Sequence, residues 1–460
     1  MDTPAPWGND PECEHLVKCK YQTHYCTYIR VPKLLTLQRT DNPDELIFIL
    51  TFQAYELWWR VILNDLLAVS SADADECQKL LQRDIEIVKL LEQQTDVAET
   101  LARDIAIRLS MRDFMSPQLA QIIAATRKIA RMQTDAAREF VARFKTWHAR
   151  YLKWTRSVIN VSTSRRTRDY ATYLQLDKLL QLQNGPKMDW AEVGQSPNAL
   201  SVPDQIGTDE TMFVVVHQAF EVWFKALSSL VDRGIATLSS QNVAETTRLM
   251  RRAVAIQKLL SQQIHIPATM TPLDFLAFRN ETKIVDGKKM WRGLSPASGT
   301  ESYQFREIEI ASGLRGDTIY QDFLHGHEDL TTQFLTVTQE RRMAQPSLAD
   351  TFNDLLAKRG ITDVTEIFAQ PRVANPHRDL ADLADVLLEY DEFFYLWRVN
   401  HIVMLQRMIG EKPGTGYLGL GYLKETAGLA VQGVERIFPQ VQKRPRFFEN
   451  LWQARSQFKI

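Results

Sequence analysis

Hydrophobic and polar residues follow one another along most of this chain with the period of an α-helix. Residues 76–94 (ECQKLLQRDIEIVKLLEQQ) and 245–263 (ETTRLMRRAVAIQKLLSQQ) carry Leu, Ile and Val at helical spacings, with charged side chains between them. Segments with the strict alternation of a half-buried strand are scarce. The pattern therefore predicts an all-α protein, whose Gly- and Pro-rich stretches are the loops between helices. These stretches include residues 184–198, 285–299 and 410–421.

The helical pattern is repeated within the chain. Residues 48–60 read FILTFQAYELWWR and residues 213–225 read FVVVHQAFEVWFK, and the two segments match in most residue types. Upstream, HYCTYIRVPKLLTLQ at 24–38 parallels DYATYLQLDKLLQLQ at 169–183, and the second copy has an insertion after that segment. We therefore predict two similar helical units in tandem, unit one at residues 1–165 and unit two at residues 166–460.

The two units differ in their polar residues. His217 in unit two aligns with Phe52 in unit one, and Arg279 aligns with Gln118 when each is counted from the phenylalanine four residues before it. The loop SPASG and residues 388–416 of unit two have no recognisable match in unit one. A lone histidine on an apolar helix is more often a core residue than a ligand, and an arginine can simply bridge two helices. Unit one lacks the histidine, the arginine and both segments together, and this difference predicts a single active site per chain.

Charge and composition narrow the class of protein only slightly. The chain has 55 Lys and Arg against 56 Asp and Glu, so no strong positive field predicts nucleic-acid binding. The N-terminal residues do not resemble a signal peptide and no apolar run reaches about 18 residues, so we expect a cytoplasmic protein without a membrane span. The cysteines fit no common zinc-finger spacing and are expected to be reduced thiols. They are Cys13, Cys19, Cys26 and Cys77.

Six motifs of unit two occur in the order found in one enzyme family. They are YxxYLxLDKLLxLQ (170–183), DExxFxxxHQxxExWFK (209–225), LDFxxFR (273–279), SPASGxxSxQFRxIE (295–309), LWRxxHxxMxxRMIGxKxGTG (396–416) and FxxLWQxR (448–455). In these motifs the chain from about residue 166 onward closely resembles tryptophan 2,3-dioxygenase, and unit one is similar to the front part of that family in degenerate form. The resemblance implies an all-helical heme protein that opens the indole ring. O2 would add across the C2–C3 bond to give an N-formylkynurenine-type product.

The resemblance also implies a role for individual residues. His401 would bind the iron of one heme b per chain, His217 would accept a hydrogen bond from the indole N–H, and Arg279 would bind the substrate carboxylate through its planar guanidinium. The other substrate-binding residues implied are Phe213, Phe275, Tyr170, Tyr173, Leu174 and Thr415. The residues that would border the heme are Ser298, Gly299 and Trp397.

Two departures from the family pattern fall at the expected substrate pocket. Tyr417 and Leu418 follow the GTG at 414–416, where the family usually has small residues, and an extra stretch at 282–293 separates Arg279 from SPASG. The alternative function is therefore heme chemistry on a modified aromatic amino acid in secondary metabolism, as in the pyrrolnitrin-pathway rearrangement enzyme or the heme aromatic hydroxylases. A heme-binding sensor or carrier is a third alternative, but it would need no residue to bind a carboxylate.

The N-terminal tyrosines suggest why the chain keeps unit one. In the family that the sequence resembles, a neighbouring subunit completes each substrate pocket with a pair of tyrosines. Unit one has Tyr25 and Tyr28 at the positions of Tyr170 and Tyr173, so the resemblance implies that unit one replaces such a neighbour. We expect a pseudo-dimer within each chain, a small-molecule indole amino acid as the partner, and a homo-oligomer built as a dimer of pseudo-dimers.

Overall fold

A computed structural model of the chain confirms the all-α fold. It describes residues 24–101, 110–111, 114–161, 169–184, 207–279, 282–285, 288–291, 302–315, 341–371, 373–410 and 446–457. Most of these residues lie in α-helices, and the described β structure consists of two short strand pairs.

The elements of unit one are six helices and two very short strands within the described ranges. The helices are α1 (His24–Ile29), α2 (Val31–Leu35), α3 (Pro43–Ala68), α4 (Ala74–Leu101), α5 (Pro117–Ile129) and α6 (Asp135–Val158). Strand β1 (Ser110–Met111) pairs in parallel with β2 (Asn160–Val161), so the segment before α5 is fastened to the end of α6.

Unit two has the longest helices of the described residues. Its helices are α7 (Tyr170–Tyr173), α8 (Leu176–Leu179), α9 (Thr208–Ser239), α10 (Val243–Gln263), α11 (Pro272–Arg279), α12 (Tyr303–Ser312), α13 (Leu348–Lys358), α14 (Arg378–Ile409) and α15 (Glu449–Ser456). Short 3-10 helices lie at Leu182–Asn184, Pro267–Thr269 and Val364–Phe368. Strands β3 (Thr282–Val285) and β4 (Lys288–Trp291) form an antiparallel hairpin in the extra stretch that follows α11.

Local sequence explains where the repeated helices begin. Asn42 caps α3 by accepting hydrogen bonds from the backbone N–H groups of Asp44 and Glu45. In unit two, α9 begins after Gly207 with acidic residues in its first turn, where carboxylates face the positive end of the helix dipole. Both helices therefore start with an acidic turn and continue into an apolar run.

The two units pack against each other through their repeated helices. Across the units, α3 packs against α9 and α4 packs against α10. On the outside, α5 lies against α3 and α6 against α4, while α12 lies against α9 and α14 against α10. One apolar core runs through both units. Among the described helices, α3 is long and apolar enough to cross a membrane, but 89% of its apolar window is buried, as in a core helix.

This packing order shows that α6 is the counterpart of α14. The two helices share the pattern Phe-x-x-Trp-x-x-x, which is followed by Tyr151 in α6 and by His401 in α14. The expectation that residues 388–416 have no match in unit one is therefore wrong for this helix. Unit one keeps the helix and has a tyrosine where unit two has its candidate iron ligand.

Gln118 also has a different counterpart from the one that sequence alignment suggests. Its Nε2 atom donates to the backbone oxygen and to Oε2 of Glu56, at 2.8 Å each. Gln304 makes the same pair of bonds with Glu221, at 2.9 and 2.7 Å. Gln118 therefore matches Gln304 and not Arg279, which belongs to a segment that unit one lacks.

Candidate active site in unit two

His217 lies inside unit two as a hydrogen-bond acceptor. Its Nδ1 atom is 2.8 Å from the backbone oxygen of Phe213, one turn earlier on α9. Because a carbonyl oxygen only accepts, Nδ1 carries the hydrogen and Nε2 keeps its lone pair. Burial lowers the pKa of His217 to about 4, so the ring is neutral at pH 7. His217 can therefore accept one hydrogen bond through Nε2.

Aromatic rings surround His217. The centroid of the Phe213 ring is 4.3 Å from that of His217, and the ring of Phe275 on α11 is 5.6 Å from that of Phe213. Tyr25, from unit one, presents its ring at 6.0 Å from His217 in an edge-on orientation. These rings give the pocket apolar walls that suit a flat aromatic substrate.

Arg279 lies at the end of α11, beside the same group of rings. Its side chain is buried, and the guanidinium carbon is 5.8 Å from the centre of the Phe275 ring. Burial lowers the pKa of Arg279 from its ordinary value. An arginine stays charged at neutral pH even so, and its planar fork is suited to a carboxylate. The site thus combines an aromatic pocket with a cation.

His401 lies on α14, across from His217. Burial, and the repulsion that two protonated rings would have at His217 and His401, lower the pKa of His401 to about 4, so its ring is also neutral at pH 7. Its Nδ1 atom is buried and has no hydrogen-bond partner among the described residues. The ring of Trp397, one turn earlier, is 5.2 Å away. A neutral imidazole beside an indole ring is a suitable axial ligand with an apolar wall.

The face of α14 around His401 is incompletely covered. Trp397, His401 and Met404 lie at spacings of one and two helical turns, and each is only half-buried. Apolar and polarisable side chains on the face that carries the imidazole are suited to a flat cofactor such as a porphyrin. The residues present therefore fit a heme.

The corresponding space in unit one is filled with aromatic side chains. Phe52 stacks on Trp154 of α6, with centroids 5.5 Å apart and planes inclined by 17°. Tyr151, at the position of His401, is 4% exposed, and Trp154 is 5% exposed. Met404, at the position of Trp154, has no ring with which to repeat this stack. Unit one thus packs aromatic side chains at the positions where unit two has His217, His401 and Met404.

Tyrosines of unit one reach into unit two. The hydroxyl of Tyr25 donates to Oε1 of Glu221 on α9, at 3.0 Å, and that of Tyr28 donates to Oε1 of Glu210, at 2.7 Å. Both tyrosines are buried. Tyr25 lies beside His217, and the role of both tyrosines in the site of unit two stays a prediction.

The tyrosines of unit two make the reverse contacts. Tyr170 donates to Oε1 of Glu56 and Tyr173 to Oε1 of Glu45, at 2.7 Å each. The backbone oxygen of Leu174 accepts from Gln53 on α3, at 3.0 Å. The structure therefore places these three residues against unit one and not beside His217, contrary to their predicted role as pocket residues. The reason is that each N-terminal segment crosses to the other unit.

Comparison with known proteins gives the family. The family model for tryptophan 2,3-dioxygenase matches residues 156–348 and 357–457. The chain belongs to the tryptophan 2,3-dioxygenase family. The matched residues include His217, Arg279 and His401, and they begin in the last turn of α6. The matched ranges thus cover nearly the whole of unit two.

Individual tryptophan 2,3-dioxygenases align over most of their own length. That of Herpetosiphon aurantiacus is 33% identical over 278 residues, which are 56% of this chain and 92% of the relative. That of a Nocardioides species is 32% identical over 266 residues, 55% of this chain and 87% of the relative. That of a Bradyrhizobium species is 27% identical over 297 residues, 60% of this chain and 90% of the relative.

Tryptophan 2,3-dioxygenases depend on heme, and the family assignment therefore supports heme as the cofactor. Thr415, Ser298 and Gly299, which the resemblance assigns to substrate and heme, lie outside the described residues. Within the described ranges, no group of three or more His, Cys, Asp or Glu residues could hold a metal ion. Cys26 and Cys77 are free and buried, while Cys13 and Cys19 also lie outside the described residues.

Sequence reasoning missed the carboxylates that hold the crossing tyrosines. Glu56 and Glu221 occupy the same position of the repeated helix, and Glu45 and Glu210 match in its first turn. A carboxylate repeated inside an apolar segment is a signal of a buried hydrogen bond, because it would otherwise be costly there. Gln118 on α5 and Gln304 on α12 give the same signal, since each donates to the glutamate of its own unit, Glu56 or Glu221.

Proposed function

We propose that this chain is a heme-dependent dioxygenase that adds O2 across the indole C2–C3 bond of tryptophan or a tryptophan derivative. The product would be of the N-formylkynurenine type. The family and the named relatives support this reaction. The observation that carries the proposal is the neutral His217, whose Nε2 atom is an acceptor within an aromatic pocket close to a buried arginine.

The pocket residues would bind and orient the substrate. Phe213 and Phe275 would pack against the indole ring, and Nε2 of His217 would accept the indole N–H. Arg279 would bind the carboxylate with two charge-assisted hydrogen bonds. Because the two ends of the amino acid are then fixed, the C2–C3 bond is held in one orientation, which removes much of the entropic barrier to reaction.

One heme per chain would be held by His401, with Trp397 and Met404 as part of its apolar wall. When bound, the heme supplies the activation of O2. The neutral state of His401 leaves a lone pair that would bind the iron, and the apolar side chains around it would help to exclude water. Thr415, Ser298 and Gly299 remain predicted contacts of substrate and heme.

Unit one would act as an internal partner of unit two, so that each chain is a pseudo-dimer. The reciprocal tyrosine contacts support this proposal, because each unit inserts a matching segment into the other. Phe52 and Trp154 occupy the corresponding space of unit one, which supports one heme per chain. Two such chains would form a dimer of pseudo-dimers.

The reaction can be tested on the heme-loaded, reduced chain with O2 and a panel of indole amino acids. We expect a product that has gained two oxygen atoms and absorbs as a formylkynurenine. A different oxidised product from every member of the panel, or no product, would reject ring opening. His217→Ala should retain heme and lose turnover of tryptophan, while N1-methyltryptophan, which has no N–H to donate, should respond least.

The pseudo-dimer has a matched pair of variants. Tyr25→Phe removes the hydroxyl that reaches Glu221 next to His217, and Tyr170→Phe removes the equivalent hydroxyl from Glu56 in unit one. We expect Tyr25→Phe to raise KM and Tyr170→Phe to leave it unchanged. Equal effects on KM would argue against a role of unit one at the site, and two hemes per chain by pyridine hemochrome would reject the pseudo-dimer.

A further inference from the structure

Helices α9 and α11, which carry candidate site residues, both begin next to α4 of unit one. Asp209 lies in the first turn of α9, which carries Phe213 and His217. Asp274 lies in the first turn of α11, which ends at Arg279. Both aspartates contact α4 of unit one.

Lys79 on α4 joins these two aspartates. Its Nζ atom lies 3.1 Å from Oδ2 of Asp209 and 3.1 Å from Oδ2 of Asp274. It also lies 2.8 Å from Glu76 on its own helix. Burial opposes the charge of Lys79, but the bond with Glu76 and the charge of Asp209 outweigh it and raise the pKa of Lys79. The ammonium is therefore a permanent positive charge between α9 and α11.

Arg83 fixes Asp209 from a second side. One turn after Lys79, its guanidinium makes two bonds of 2.6 Å with the carboxylate of Asp65 in unit one, and it also pairs with Asp209. Arg83 and Asp65 are fully buried. Because such a bidentate pair has little freedom, the start of α9 is firmly tied to unit one. Lys79 connects α11 to this fixed point.

The start of α11 depends on polar contacts more than its end does. The end of this eight-residue helix buries Phe275 and Arg279, whereas Leu273 near its start is 77% exposed. Thr271, just before the helix, borders a cavity of about 680 Å³ that Lys79 also lines. Apolar packing is therefore sparse at the start of α11, and the ion pair between Lys79 and Asp274 crosses this region.

The repeat shows what is specific to unit two in this arrangement. Lys79 on α4 aligns with Arg248 on α10, and each pairs with a glutamate three residues before it, at 2.8 and 2.6 Å. In unit one, Asp113 and Phe114 match Asp274 and Phe275, but Pro117 follows almost at once, so the sequence has no counterpart of the part of α11 that carries Arg279. The bond between Lys79 and Asp274 thus fastens the helix that carries Arg279, and unit one has no equivalent of that arginine.

We infer that Lys79 of unit one is a positioning residue that, by holding Asp274, sets the place of Arg279 relative to His217. The inference rests on the proposed role of Arg279 in binding the substrate carboxylate. Through Lys79, unit one would influence substrate binding without contacting the substrate. Since a half-exposed ion pair stabilises a fold little, the effect belongs in KM and not in overall stability.

The test compares Lys79→Met with Lys89→Met in the full, heme-loaded chain. Lys89 lies on the same helix and pairs with Glu86 at 2.7 Å, so its variant controls for the loss of a charge and an ion pair on α4. We expect Lys79→Met to raise KM for L-tryptophan by about three- to fivefold, the most that such a pair supplies, with little change in kcat. Binding of tryptamine, which has no carboxylate, should change less, and Lys79→Arg should restore KM.

Two further measurements decide whether Lys79 acts through Asp274. The double variant with Asp274→Asn should show no more loss than either single variant, and amide hydrogen exchange across residues 272–279 should rise in Lys79→Met but not in Lys89→Met. Additive losses, an equal loss of tryptophan and tryptamine affinity, or unchanged exchange would overturn the inference. Exchange is measured on the heme-loaded chain without substrate, so the role of Lys79 is decided even if the wild-type chain fails to open the indole ring.

Discussion

The two units of this protein have the same helical frame and differ in what occupies its centre. In unit one, Phe52 and Trp154 stack inside the frame, and Tyr151 is buried beside them. In unit two, the equivalent positions hold His217, Met404 and a half-buried His401. Because the frame is kept in both, the apolar helical pattern determines the fold. The few side chains at the centre determine whether the frame has a site.

The largest expected effect concerns heme. His401→Ala should abolish stoichiometric heme binding, because the axial bond and the orientation of the ring depend on that imidazole. The matched change in unit one, Tyr151→Phe, should leave heme content unchanged. Absorbance of the Soret band per chain measures both variants. A normal heme content in His401→Ala would show that His401 is not the iron ligand. The proposed difference in heme binding between the two units would then lose its basis.

Removal of the buried cation should have the next largest effect. Arg279→Ala should weaken binding of L-tryptophan by about 2–4 kcal/mol, the range for loss of one partner of a buried charged pair. Calorimetric titration with tryptophan and with tryptamine measures the change. If both ligands lose the same affinity, Arg279 does not bind the carboxylate.

Exchange of the central residues tests the comparison directly. Phe52→His places a polar imidazole among the aromatic side chains that pack around Phe52 in unit one. It should therefore lower the free energy of unfolding by about 1–3 kcal/mol. The reverse change, His217→Phe, should cost less because the pocket of unit two has apolar walls. Urea denaturation of the heme-free variants gives both values, and a more costly His217→Phe would contradict the contrast.

The smallest effect is a pH dependence from a buried carboxyl of unit one. Burial raises the pKa of Glu56 from 4.5 to about 7, against the hydrogen bonds from Gln118 and Tyr170 that lower it. The folded state then binds a proton more tightly than the unfolded state, so this contribution to stability is full below about pH 4.5 and is lost as the pH rises past 7.

Glu56→Gln should remove this dependence. The free energy of unfolding of the variant, relative to that of the wild type, should rise by about 1–2 kcal/mol between pH 5 and pH 8. Denaturation at the two pH values measures the difference. A constant offset between variant and wild type at both pH values would show that Glu56 ionises normally.

Much of the site could be predicted from sequence because it lies within the repeat. The alignment of His217 with Phe52 places a histidine on a helix whose copy has none, and the family motifs identify Arg279 and His401. The match of Tyr151 with His401 was missed because unit one lacks the segment between Phe275 and Ser302, which changes the spacing between the matched helices. Only the packing of α6 on α4 restores the alignment.

Other features depend on contacts that no local pattern contains. Sequence alone does not say which of two similar units receives an N-terminal segment, and the predicted place of Tyr170 in unit two differs from its contact with Glu56 of unit one. The bond between Lys79 and Asp274 joins residues far apart in the chain and leaves no trace in helical periodicity. The hairpin of β3 and β4 did have a local signal, since Asp286 and Gly287 separate two short segments rich in apolar and basic residues.

The contact between Tyr25 and Glu221 joins two segments of one covalent chain. In a site shared between separate subunits, the fraction of complete sites falls when the protein is diluted below the dissociation constant of the subunits. Here the linking segments hold the tyrosine near its acceptor at an effective concentration on the order of millimolar, whatever the number of molecules in solution. A cell that makes only a few copies of this protein would therefore still have every copy closed by its tyrosine.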